Sequence, residues 1–331
     1  MPSKIAIIYN KPTNDRYETM GEEKAVASVL DEVRAVYRAL SELGYPTIKA
    51  PLIPPLERVR EDLKAIETEL VFNLFEGFDG LPETEAVVAG MLDELGMPFT
   101  GNPAPTLSLA LNKAKAKAVL EAGGVKTPNY QALSPENLHL FNLSFPCIVK
   151  PSGEDASHGL SEESVVNDLE QLKRQVIKLS QFFRGDALVE EFLPGREFNV
   201  TLLGNKDPVV LPVAEMTYSL PPEMPEILTF AAKWEKGSLY FNGTKATCPA
   251  QIGDREQEQI TQTALAAFKL LGCRGYARVD MRLDDQGVPN VMEVNPNPDI
   301  TPGYGAARSA KAAGMTYTRF IEKVITLALE K

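Results

Sequence analysis

Apolar positions recur along this chain with two periods, and the places where one period gives way to the other mark out its elements. The apolar run Ile5-Ala6-Ile7-Ile8 predicts a buried strand over 4–9. Helix-spaced apolar positions over 22–43, closed by Gly44, predict a long amphipathic helix. A strand over 47–50, a helix over 55–69 and a strand over 71–75 follow. After a glycine-rich turn come a helix over 83–95 and a short strand over 97–100. This alternation through residues 1–104 predicts a small doubly wound, Rossmann-like domain. It carries no Gly-x-Gly-x-x-Gly, so no dinucleotide site is indicated.

The punctuation then changes. Pro103-Ala104-Pro105 reads as a linker into one helix over 106–122, ended by Gly123-Gly124. A strand near Tyr130, a strand over 145–150, a polar loop over 151–163, a helix over 164–182 and a strand over 187–192 complete a central unit, 105–187. At this size it is expected to pack as a lid rather than stand alone. The remainder, 188–331, predicts strands over 197–203 and 209–214 and helices over 255–271 and 315–330. Between them 219–245, which includes Lys233-Trp234, has few periodic positions; loops of this length are functional or disordered. No internal repeat is visible.

The period-two pattern is most informative at 276–295. Pairing Leu283 with Val288 across a four-residue loop sets Arg278 opposite Glu293. Arg278, Asp280, Glu293 and Asn295 then share one face, and Ala277, Val279, Met281, Leu283, Val288, Met292 and Val294 share the other. A solvated face with a cross-strand Arg–Glu pair would look the same. The continuation Glu293-Val-Asn-Pro-Asn-Pro-Asp299, however, makes a rigid strand exit. Two carboxylates and an amide there form an oxygen-rich set suited to a hard divalent cation bridging phosphates.

Composition narrows the classes. The chain has 331 residues, 44% hydrophobic and 24% charged, enough for a full core in two or three domains. A net charge of -11 argues against a nucleic-acid partner. An acidic protein that binds a nucleotide has to gather its lysines locally. Cys147, Cys248 and Cys273 are far apart and read as buried free thiols. The first apolar run is too short for a signal peptide or a membrane span, which predicts a cytoplasmic protein.

Several segments now combine. Phe72-Asn-Leu-Phe-Glu-Gly77, Thr100-Gly-Asn102, Leu111-Asn-Lys113, Ile148-Val-Lys-Pro151, Leu188-Val-Glu-Glu191, Gly195-Arg-Glu-Phe198 and Gly275-Tyr-Ala-Arg-Val-Asp280 stand in one order, with Glu293-x-Asn295 thirteen residues further on. In order and spacing the chain resembles the ATP-grasp superfamily, and within it the D-alanine:D-alanine ligases, from about Val71 onward. The resemblance implies an α/β protein, α+β in its catalytic part, in which the ATP-grasp fold follows the Rossmann-like domain. It also implies ATP and two Mg2+ ions, with Mn2+ as a substitute.

By the same resemblance Lys113 and Lys150 contact phosphates, and loop 151–163, with Ser157 and His158, closes over them. Glu190, Glu191 and Leu193 line the adenine, Glu190 taking its amino group, and Glu197 takes the ribose hydroxyls. Asp280, Glu293 and Asn295 hold the metal ions. Arg278, Lys233 and His158 serve the reacting groups. From the residues alone, Lys113-Ala-Lys-Ala-Lys117 also reads as a solvated helix face and 190–197 as an acidic strand edge.

The likeness weakens where those ligases bind amino acids. Their Ser-Glu-Arg-Glu-Val-Ser opening is replaced by Asn10-Lys-Pro-Thr-Asn-Asp-Arg-Tyr, the serine of their lid by Ala156, and the tyrosine after the lid lysine by Trp234. Glu76 stands in place of a histidine and Asp299 in place of a glycine, which nominates both as substrate-facing residues. The reading is a carboxylate:amine ligase acting through an acyl phosphate on a small amino-acid-like acid and an amine, without a membrane partner; a homodimer is admitted. Its alternatives are a true D-alanine:D-alanine ligase of cell-wall synthesis, or a non-catalytic ATP-binding regulatory protein.

Overall fold

The computed structural model describes residues 2–12, 23–78, 80–154, 157–183 and 185–330, the side chains of 23–27 excepted. The opening segment that departs from the ligases, beyond Pro12, and Ala156 thus lie outside the described residues. At the N-terminus, β1 (Ile5–Asn10), α1 (Glu23–Glu42), β2 (Thr47–Leu52), α2 (Leu56–Lys64), β3 (Leu70–Leu74) and α3 (Glu83–Glu94) build a parallel three-stranded sheet in the order β2-β1-β3. The apolar run of β1 makes it the central strand. Gly44, at φ 80, ends α1 as predicted, with Tyr45 N–H donating to the Leu40 carbonyl. The expected strand at 97–100 shrinks to a single bridge between Val71 and Phe99, because Pro98 has no N–H for the ladder and Gly101, at φ 91, turns the chain away.

The single helix expected over 106–122 is two, α4 (Ala104–Leu111) and α5 (Lys113–Ala122). Asn112 breaks it: its side chain accepts the Lys115 N–H and caps α5, the local competition that keeps asparagine out of helix interiors. Next come β4 (Tyr130–Leu133), β5 (Cys147–Pro151), β6 (Val165–Val166), α6 (Leu169–Phe183) and β7 (Ala187–Glu191), an antiparallel sheet ordered β4-β7-β5-β6. α6 starts five residues later than expected. Val165 and Val166 pair with β5 instead, and Asp168 accepts the Gln171 N–H at the helix start.

The largest sheet contains β8 (Glu197–Leu203), β9 (Val209–Val210) and β10 (Ala214–Tyr218), then, after α7 (Phe230–Trp234) and α8 (Leu239–Gly243), β11 (Thr244–Thr247). α9 (Asp254–Leu270) precedes the hairpin β12 (Tyr276–Leu283) and β13 (Pro289–Asn295), and α10 (Gly305–Ala312) and α11 (Tyr317–Leu329) follow it. Strand order is β11-β10-β8-β12-β13, with β9 also on β8. Pro212, lacking an N–H, divides the strand expected over 209–214. The stretch 219–245 is less irregular than expected, since Thr229 and Ser238 cap its two short helices. α10 escaped notice because it buries only small side chains, Ala306, Ala307, Ser309 and Ala310.

The hairpin register differs from the expected one twice. Asp284 Oδ1 accepts the Gln286 and Val288 N–H groups and Gly287 sits at φ 73, so the turn shifts the register by one residue and Leu283 faces Pro289. A bulge then places Met281 opposite Val291 but Asp280 opposite Glu293 and Arg278 opposite Asn295. The two shifts cancel in parity, so the polar face is as expected. Between them Val291 enters the core, Met292 turns to the polar side and Val288 is half-buried.

Packing crosses the expected unit boundaries. Ile5, Ile7 and Phe72 of the first sheet share a core with Tyr276, Ile300, Phe320 and Ile321. α4 and α5, assigned from sequence to the central unit, pack into the core of the large sheet through Ala110, Ala116 and Leu120. β7, placed with the central unit but cut by the 187/188 boundary, is an inner strand of the central sheet. Among the described residues no helix is long and apolar enough to cross a membrane.

Candidate active site

The polar face of β12 and β13 opens into a cleft between the central and large sheets. Asp280 accepts hydrogen bonds from Arg278 Nε and Nη2, both at 2.7 Å, from Asn199 Nδ2 at 2.7 Å and from Asn295 Nδ2 at 3.0 Å. Asn295 Nδ2 also lies 3.4 Å from Glu293 Oε1. Asp280, with Glu293 and Asp299, raises Arg278 against the opposing effect of its burial. Burial likewise disfavours the Glu293 carboxylate, yet Lys113, Lys150, Arg278 and Lys233 outweigh it and hold the group down at about 2. Among the described residues no three His, Cys, Asp or Glu side chains are spaced to enclose a metal by themselves. Two carboxylates and an amide fit Mg2+, which keeps few protein ligands and completes its shell with phosphate oxygens and water.

The cations opposite come from three elements. Lys113, the first residue of α5, is buried, donates to the Glu154 carbonyl and lies 3.9 Å from Glu293 Oε2; its own N–H donates to the Ser152 carbonyl. The solvated-face reading therefore fails for Lys113 and for Lys117 one turn on, both buried, and holds only for the exposed Lys115 between them. Lys150 on β5 pairs with Glu190 Oε2 of β7 at 2.7 Å, and Lys117 pairs with Glu190 Oε1 at 2.7 Å. Burial opposes ionisation of Glu190, but the two lysines prevail and lower its pKa. Lys117 is itself lowered to about 8, by burial first.

Further along the cleft, Glu197 is buried at the start of β8. Tyr218 Oη donates to it at 2.7 Å and the Arg282 guanidinium is 3.6 Å away. Burial raises its pKa and Arg282 opposes the rise. Leu193 lines the same cavity. The Glu191 carboxylate is instead engaged by Asn129 Nδ2 and the Ser144 N–H, which occupy both of its oxygens.

The polar loop folds over this cavity. Ser157 has φ 62, a left-handed conformation that costs a non-glycine residue about 1 kcal/mol and is typical of binding turns. A Cβ on Gly159 would lie 2.8 Å from the Phe183 ring. The Phe230 N–H donates to the Leu160 carbonyl, and His158 stacks near the Phe230 ring at 5.8 Å, so the loop and the 219–245 stretch meet. His158 and Lys233 line both this cavity and an adjoining cleft of about 520 Å3. Burial, and then Arg278, lower Lys233.

The second cleft contains Glu76 and Asp299, with Arg278, Arg308, Trp234 and Tyr304. Asp299 Oδ1 accepts the Thr301 N–H at 2.6 Å and is half-buried; Glu76 is more exposed. Behind them Glu32 of α1 is buried, and burial, then Asp299 and Glu76, push its pKa well up. Sequence reasoning missed Lys117, Arg282, Tyr218 and Glu32. Spacing could have found the first two: Lys117 lies four residues from Lys113 on one helix face, and Arg282 shares its strand face with Arg278 and Asp280. Tyr218 and Glu32 carry no local signal.

Two carboxylates and an amide on a hairpin, opposed by lysines from α5, β5 and α7 in a cleft between two antiparallel sheets, define the class: the protein has the ATP-grasp fold. A sequence model of the D-ala D-ala ligase C-terminus matches residues 119–326. A D-alanine--D-alanine ligase of Pelotomaculum thermopropionicum is 30% identical over 312 residues, covering 89% of this chain and 90% of that protein. An uncharacterized protein, y4sG, of Sinorhizobium fredii is 34% identical over 299 residues, covering 89% and 86%. The crystal structure of a D-alanine--D-alanine ligase from Bacillus anthracis superposes with a TM-score of 0.74 over 98% of this chain and 97% of that one, at 22% identity. This chain belongs to the D-alanine:D-alanine ligase family, whose members are C–N bond-forming ligases.

Proposed function

We propose that the protein is an ATP-dependent ligase that joins a small amino-acid-like carboxylate to an amine through an acyl phosphate. The observation that carries this reading is the continuity of the two clefts. A cavity lined by Lys113, Lys150 and Lys233 adjoins a second one that holds Arg278, across a wall shared by His158, Lys233 and Glu293. In the first step an oxygen of the substrate carboxylate bonds to the γ-phosphorus as the bond to ADP breaks. In the second the amine nitrogen bonds to the acyl carbon, phosphate departs and the amine proton passes to solvent.

Lys113, Lys150 and Lys233 would bind the phosphates and Arg278 would stabilise the transferring group or the tetrahedral adduct. Glu190 would accept from the adenine amino group, Glu197 from the ribose hydroxyls, and the backbone near Glu191 and Leu193 would line the base. Ser157 and His158 would approach the phosphates from the lid. Asp280, Glu293 and Asn295 would hold Mg2+, which when bound neutralises phosphate charge. No protein nucleophile is required, since positioning and electrostatics supply the catalysis.

Glu76 and Asp299 would face the amine-side substrate. Carboxylates on that wall favour an amine with an added positive group, or one without a carboxylate, because a half-buried acid seeks a cation. D-Alanine on both sides is the second reading, favoured by the substrate named for the relatives. ADP release across a panel of amino-acid pairs, with hydroxylamine as a universal amine, tests both. Acid-dependent ADP release with hydroxylamine supports the ligase, and none with any acid removes it.

A further inference from the structure

Glu190 is held by more positive charge than it needs. Its two oxygens each meet a lysine at 2.7 Å, Lys117 on Oε1 and Lys150 on Oε2, and the carboxylate is 1% exposed. The two lysines differ in reach. Lys150 and Glu190 line the nucleotide cavity, whereas Lys117 does not and is itself 1% exposed. Beyond Glu190, Lys117 has the Val291 carbonyl at 3.5 Å and the Tyr130 ring at 5.7 Å. Lys150 is also close enough to Glu293 to lower its pKa, so it stands between the buried acid and the phosphate end of the cleft.

A buried carboxylate stripped of its only counter-charge is strongly disfavoured. Were Lys150 its sole partner, moving that lysine toward a phosphate would strand Glu190. With Lys117 on the other oxygen, the move leaves a balanced pair. We propose that Lys117 is a positioning residue for the triphosphate: it keeps Glu190 compensated, so that Lys150 can leave that carboxylate for a phosphate of the nucleotide. This rests on the reading of the cavity as an ATP site.

The test compares affinities for Mg-ATP and for adenosine by titration calorimetry, because adenosine fills the base and ribose positions without calling on Lys150. Lys117→Met should lower the ATP-to-adenosine affinity ratio about tenfold or more, the scale of one charge-assisted hydrogen bond. Lys117→Met/Glu190→Gln, which removes the anion as well, should restore the ratio. A proportional loss for both ligands in Lys117→Met, or an unchanged ratio, would overturn the proposal and leave the ATP reading intact. Wild-type protein that binds no Mg-ATP removes both.

Should Lys117→Met not fold, a pH series on wild type and the double variant decides the matter; the latter swaps a buried ion pair for neutral groups, a change proteins tolerate. Lys117 is faced by Glu190 from β7, Lys150 from β5, Glu293 from β13 and Tyr130 from β4, with Glu121 beyond it on α5. With Lys117 at about 8, the ratio should fall between about pH 7 and about pH 9 in wild type and hold in the double variant. Equal falls in both would overturn the proposal.

Discussion

Replacing Glu293 by glutamine should cost both activity and stability, and the stability loss should vanish in acid. Burial works against this carboxylate, yet Lys113, Lys150, Arg278 and Lys233 take it from the ordinary 4.5 to about 2. Fully expressed, such a displacement is worth about 3 kcal/mol of folding free energy. The side chain is 30% exposed, however, and water screens part of it, so about 1–2 kcal/mol is the working figure. Because the folded-state value is depressed, the contribution is whole above the unfolded value. It is lost as pH falls from about 4.5 through about 2.

Urea unfolding of wild type and Glu293→Gln at pH 7 should therefore differ by that amount, and the gap should narrow steadily below about pH 4.5. In a coupled ADP-release assay the same variant should lose turnover about a hundredfold or more, since charge compensation at a phosphate-bound cation is worth several kcal/mol. A pH-independent stability gap would refute the electrostatic account. Near wild-type turnover with Mg2+ would refute the metal role of Glu293.

Other outcomes follow from the same geometry. Mg2+ with a non-hydrolysable ATP analogue should protect loop 151–163 and the 219–245 stretch together, since the Phe230 N–H already joins them through the Leu160 carbonyl; identical cleavage with and without nucleotide in limited proteolysis would count against a closing lid. Arg282→Leu should destabilise by about 3–5 kcal/mol by leaving Glu197 and two carbonyl acceptors, Gly195 and Glu226, without a buried guanidinium. Adding Glu197→Gln should recover part of that loss in thermal unfolding, and no recovery would show that Glu197 is not what Arg282 balances. Asp299→Gly should shift amine preference toward D-alanine in competition assays; an unaltered preference, with efficient D-alanyl-D-alanine synthesis by the wild type, would place Asp299 outside specificity.

Local signals were enough to read the alternation of the first hundred residues, the arrest of α1 at Gly44 and the shared face of Arg278, Asp280, Glu293 and Asn295. Each depends on a period or on one residue's backbone preference, and such information lies within a few positions in the sequence. Even the misplaced hairpin register preserved the polar face, because a shifted turn and a bulge changed parity twice. The residues proposed for the nucleotide side were named from their order and spacing, which a linear chain carries intact.

What the sequence could not carry is who stands opposite whom across elements. Nothing near Lys117 announces a glutamate 73 positions away on a strand, and Lys113-Ala-Lys-Ala-Lys117 looks like solvated helix until α5 is packed against β13 and Lys117 meets Glu190 of β7. β7 belongs to the central sheet because of its pairing with β4 and β5, which composition does not record. Burial then sets the chemistry: Glu190 and Glu197 are both buried acids. Two lysines lower the first, while desolvation against a single arginine at 3.6 Å raises the second. Residue type and period are written locally, but charge state depends on distance and dielectric, and the tertiary structure alone fixes those.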